Sequence, residues 1–98
     1  MISDIKIKVD AYEVVIGEYR EEMEKLIKKL SEIKKEYYIL EVRKKIEECI
    51  SGSEKIERIS EEYRYKRDEV YKLHNHINEL GKVIIYIEKE LKGIQKFV

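Results

Sequence analysis

Two histidines, one cysteine and 21 carboxylates are the side chains of this 98-residue sequence best suited to bind a metal, attack a substrate or move a proton. Their spacing argues against each use. His74 and His76 are two residues apart, so on a helix they point to different faces, whereas a helical zinc pair needs about one turn. Cys49 falls on an apolar stripe near the end of a helical segment and reads as a small buried thiol. A reactive thiolate wants a basic neighbour, and Glu47 and Glu48 supply the opposite. The carboxylates recur at helical surface periods beside cations, as in Glu21 with Lys25 or Glu32 with Lys35 and Glu36. They read as solvated faces, not as a dyad in a cleft. No Gly-rich phosphate loop is present. No catalytic residue, metal ligand, cofactor or small-molecule substrate is therefore expected, and the chain reads as a non-enzyme.

The elements that must carry these residues follow from composition. Charged residues are 43% of the chain, balanced at 21 basic and 21 acidic, hydrophobic residues are also 43%, and proline is absent. Such a mix belongs to long, exposed helices. Zero net charge argues against a nucleic-acid partner, which needs an excess of cations on one face. No apolar run approaches the roughly 18 residues that span a bilayer. The opening MISDIKIKVD lacks the apolar core of a signal peptide. The expected location is cytoplasmic, or outside the cell by a route that reads no cleavable signal. One cysteine leaves no internal disulfide.

Along the chain, Ile5, Ile7 and Val9 alternate with lysines at period two and predict a short extended arm. Asp10, with Glu13 three residues on, then predicts the start of a first helix. Tyr12, Ile16, Tyr19, Met23, Leu26, Leu30, Ile33, Tyr37 and Leu40 follow at alternating spacings of four and three, the period of helices that share a seam. Past Leu40 the stripe slips by one residue, to Ile39, Val42, Ile46 and Cys49. A second stripe runs through Ile56, Ile59, Tyr63, Lys66, Val70, Leu73, Ile77, Leu80, Ile84, Ile87, Leu91, Ile94 and Val98, with Lys66 its one polar member. Between them Ile50, Ser51 and Gly52 form the bend, with Ser51 and Glu54 placed as a capping box for the second helix. Folding there pairs Ile33 with Val70, Leu30 with Leu73, Leu26 with Ile77 and Met23 with Leu80. The predicted fold is all-α, a long antiparallel two-helix hairpin over about 10–50 and 52–97 within one domain, 1–98.

Two helices bury one seam and leave their other faces wet. Extra apolar residues cluster beside it: Val14, Val15, Val83, Tyr86 and Phe97 toward the open end, and Tyr38, Ile39, Tyr65 and Ile50 toward the bend. Either they fill the hairpin's own flanks, or a second hairpin packs alongside to make a four-helix bundle. The dimer is the expected arrangement, with Val15, Tyr38, Ile39, Tyr65, Val83, Tyr86 and Phe97 as its candidate interface. Gly17 lies opposite Tyr86 in this register, so a tyrosine ring over a missing side chain would account for both. Gly81 and Gly93 have no such account.

About 100 residues with two helices and a glycine-bearing bend at mid-length resemble the WXG family of small helical hairpins, which serve type VII secretion systems of Gram-positive bacteria. The family's Trp-x-Gly falls on Ile50-Ser51-Gly52, where the glycine matches and the tryptophan does not. Its tail signal, Tyr followed four residues later by an acid, falls on Tyr86 and Glu90, although the same spacing recurs at Tyr37–Glu41 and Tyr65–Glu69. Lacking the tryptophan, and with Val98 still in the stripe, the chain is most similar to the small accessory hairpins that pack beside the helical targeting domain of a secreted toxin. The resemblance implies a partner, adaptor or targeting factor that dimerises with itself or with another helical protein. Without it, the residues fit a self-associating coiled-coil module, or a prefoldin-like chaperone arm, although the latter needs a strand-bearing assembly region that the bend is too short to hold and the IKIKV arm poorly replaces.

Overall fold

The computed structural model describes residues 3–50 and 52–97, and it is all-helical over them: α1 spans Asp4–Glu48 and α2 spans Ile56–Gln95. No strand occurs among the described residues. The extended arm expected over the first nine residues is thus corrected, because helix begins at Asp4 and Asp10 lies inside it. Ser3 is the cap: its hydroxyl accepts from the Lys6 amide at 3.3 Å and its carbonyl from the Ile7 amide at 3.2 Å. A capped first turn satisfies amide donors that an isolated extended arm would leave to water. Ile5, Val9 and Tyr12 also continue the four-three spacing, so the period-two alternation was one of two readings of the same residues. Asp4 in the first turn and Lys45 in the last suit the helix dipole.

The connection is longer than the expected bend. The amides of Cys49 and Ile50 bond back three residues, to the carbonyls of Ile46 and Glu47, which tightens the end of α1. Gly52 then takes φ of 74°, a left-handed conformation that glycine adopts without penalty. The Ser53 hydroxyl donates to the Glu47 carboxylate and accepts from the Lys55 amide at 3.3 Å. Helix resumes where the Ile59 amide bonds the Lys55 carbonyl. Glu54 therefore precedes α2 and cannot be its third residue, which corrects the capping box. Its other member, Ser51, lies outside the described residues, as does Val98.

The chain divides into two compact units, each built from parts of both helices. A terminal unit comprises Met1–Leu26 and His76–Val98, and a bend unit comprises Ile27–Asn75. Within the terminal unit the helices run antiparallel, with Arg20 against Glu88 and Met23 against Gly81. Ile16 and Leu80 are buried there, and Tyr12, Tyr19, Met23, Leu26, Ile77, Ile84, Ile87, Leu91 and Ile94 are half-buried. In the bend unit Leu30 and Val70 are buried, flanked by half-buried Ile33, Tyr37, Leu40, Ile56, Ile59, Tyr63 and Leu73. Every described seam residue predicted from the four-three stripes is thus buried or half-buried. A four-three spacing keeps one side of each helix turned inward, which is why the stripe carries that information.

The slipped stripe is corrected. Ile39, Val42, Ile46 and Cys49 are all exposed. The half-buried positions after Leu40 in α1 are instead Glu41, which pairs with Lys45, and then Lys44 and Glu47. Lys44 and Glu47 each have a reason to face inward: the Lys44 ammonium lies 4.9 Å from the centre of the Tyr63 ring, and Glu47 accepts from Ser53. Cys49 is accordingly a surface thiol and not a buried one.

Candidate protein-interaction surfaces

In the bend unit the seam holds an aromatic and ionic core. The Tyr37 and Tyr63 rings stack with centroids 5.0 Å apart, and their hydroxyls share a hydrogen bond of 2.8 Å. That bond, reinforced by burial, pushes the Tyr37 phenol up to about 12. Three residues toward the middle of α2, the Lys66 ammonium lies 2.8 Å from Glu36 and 3.3 Å from Glu69. The Glu36 contact is the main reason its pKa is raised, against the opposing effect of burial. The polar member of the second stripe is therefore an anchored cross-helix ion pair.

Outside that core the bend unit leaves apolar side chains in water. Tyr38 is 55% exposed and Tyr65 69% exposed, and Ile39 and Ile50 are exposed as well. Tyr38 is nevertheless held in place, its ring meeting Tyr37 edge-on at 5.4 Å. Tyr38, Ile39 and Val42 line a shallow open trough on α1 together with Lys34, Lys35 and Arg43. Val42, Ile46, Ile27 and Tyr71 are exposed apolar residues of this unit that the candidate interface omitted. Val42 and Ile46 were missed because the stripe slip placed them in the seam.

In the terminal unit Val15 and Val83 are exposed, Tyr86 is 64% exposed and Phe97 78% exposed. Glu90 is exposed one turn beyond Tyr86 on α2. Val14, Ile7 and Ile85 extend the apolar surface. Phe97 borders a depression with Ile5, Tyr12 and Ile94. A methyl group at Gly17 would meet nothing within 4 Å, so the Tyr86 ring does not cover that glycine. Gly81 gains no steric account either, since a methyl group there would lie 3.6 Å from Cε of Met23, an ordinary packing distance. Polar contacts cross the helices in this unit too: Arg20 donates to Glu88 at 2.7 Å, and His76 Nε2 lies 3.9 Å from Glu22. His74 is half-buried and has no part in that contact. Among the described residues no three His, Cys, Asp or Glu side chains gather as a metal site, and no helix is long and apolar enough to cross a membrane.

No protein family, curated protein or solved structure matches this chain. Its function has to be argued from the surfaces themselves.

Proposed function

We propose that the chain is a non-catalytic helical interaction module, a partner, adaptor or targeting factor for a secreted effector of a type VII system. A second helical protein covers its outer apolar faces and completes a four-helix bundle. The observation that carries this reading is that, among the described residues, each unit buries only two apolar residues and leaves a larger apolar set exposed. Burying such faces against another amphipathic helix is the ordinary remedy. The secretory setting rests on the resemblance to WXG-type hairpins. Accessibility of Tyr86 and Glu90, one helical turn apart, is what a recognition pair requires. The protein acts in the cytoplasm, or is exported together with its effector.

Solution mass and thermal melting test the reading. An accessory partner of a foreign protein should run as an 11.9 kDa monomer with a broad, low melt. It should gain a sharp melt when co-expressed with the helical targeting domain of an effector. A cooperative melt at twice that mass, unaffected by any such domain, would instead make the chain a self-associating structural module.

A further inference from the structure

The proposal concerns the trough on α1 in the bend unit, and it rests on the reading that a second helical protein covers the apolar faces. Between residues 27 and 46 the carboxylates are Glu32, Glu36 and Glu41. Glu36 is engaged by Lys66 and Glu41 by Lys45, which leaves Glu32. The cations Lys28, Lys29, Lys34, Lys35 and Arg43 make no ion pair among the described residues. Lys34, Lys35 and Arg43 rim the trough, and its floor is Tyr38, Ile39 and Val42. A chain with no net charge thus presents here a locally cationic, apolar strip. Tyr38 is an exposed aromatic already braced by Tyr37, which is itself bonded to Tyr63. A braced aromatic loses little freedom when it is buried, the property of an interface anchor.

We infer that this trough docks an acidic amphipathic helix of a partner protein, with an apolar stripe seated on Tyr38, Ile39 and Val42 and carboxylates reaching Lys34, Lys35 and Arg43. Residues 31–43 extend over roughly 18 Å of helix at about 1.5 Å per residue, so the trough takes about three turns of the incoming helix. Helix-in-groove recognition of this kind combines apolar anchors with a charge rim that sets partner choice.

A titration of the full chain with fluorescein-labelled helical peptides tests this. The probes are a 16-residue peptide with a leucine stripe flanked by glutamates, and the same stripe flanked by lysines. The acidic peptide should bind saturably and the basic one should not. Its affinity should fall about tenfold or more between about 0.05 M and 0.5 M salt, and by a similar factor in Lys35→Glu/Arg43→Glu. Tyr38→Ala should weaken it at every salt concentration. All three substituted side chains are exposed, and unchanged helical circular dichroism shows the fold to be intact. Equal binding of both peptides, or of neither, overturns the proposal. So does binding to phosphatidylglycerol vesicles in place of the peptide, which would make the strip a membrane contact. A chain that is already a dimer, and that Lys35→Glu/Arg43→Glu dissociates, would overturn it in favour of a second copy. Failure here leaves the partner role to be judged by solution mass and co-expression, which do not depend on this trough.

Discussion

Tyr37 is where one residue's chemistry most visibly supports the fold. Its hydroxyl sits in a half-buried seam and finds its partner in Tyr63, which spares both groups the cost of an unmet hydrogen bond. Ionising Tyr37 would place a phenolate in that pair, so the folded form holds its proton up to about 12, against 10.0 ordinarily. The folded state thus binds more protons than the unfolded one across that interval. The contribution to stability is complete below pH 10 and is lost as pH rises through about 12. Lys66 works in the same direction, since its raised pKa keeps the ion pair with Glu36 until high pH. The midpoint of thermal unfolding should therefore fall steeply above pH 10. In Tyr37→Phe the fall should be shallower, with the remainder due to Lys66. Melts followed by circular dichroism at half-unit steps from pH 8 to pH 12 check this; identical slopes in both proteins would remove Tyr37 as a cause. Both tyrosines stood in the stripes read from the sequence, but the bond between them depends on helix register and ring orientation, which spacing does not carry.

At the scale of elements, the seams were legible and the ends were not. A four-three stripe sustained from Tyr12 to Leu40 and from Ile56 to Ile94 leaves each helix one side to bury. The first helical turn was missed because Ile5 and Val9 satisfy two periods at once, and Ser3 decides between them by capping. The connection was misjudged because Lys44 and Glu47 face inward where apolar residues were expected, each held by a specific contact. Helical glycines and the bend glycine show how local conformation sets the outcome of one substitution. Gly17→Ala meets open space in a helix interior and should stabilise by about 0.5–1 kcal/mol. Gly52→Ala also meets open space, yet φ of 74° should make it destabilising by about 1–2 kcal/mol. Urea unfolding of the two variants should shift the midpoint in opposite directions with unchanged slope. A stabilised Gly52→Ala would show that the bend does not need its left-handed residue. The trough was half legible: Tyr38 and Ile39 were candidates by type and position. Its basic rim stands out only once Glu36 and Glu41 are known to be neutralised by other lysines.

For the molecule as a whole, the question is whether its exposed residues are spare surface or are read by another protein. Tyr86 and Glu90 decide this for the proposed secretory role. Both side chains stand in solvent, and neither fills a gap in the seam, because Tyr86 leaves Gly17 uncovered. Exposed positions of this kind contribute little to stability, so Tyr86→Ala and Glu90→Ala should change unfolding free energy by less than about 0.5 kcal/mol. A targeting pair behaves otherwise in a functional assay, because losing an aromatic anchor or its carboxylate partner removes a contact that no neighbour replaces. In a host with a working type VII system, each variant should lower export of the chain or of its co-expressed effector by about tenfold or more, as expected for a loss of about 1.4 kcal/mol in recognition. Tyr65→Ala, which removes a similarly exposed tyrosine of the candidate interface from the other unit, is the comparison and should lower export less than either. Culture supernatants probed by immunoblot give the readout, with cell-associated protein as the measure of synthesis. Undiminished export in both variants would strip Tyr86 and Glu90 of the signal role, and equal loss in all three would trace the defect to general disruption of the apolar surface.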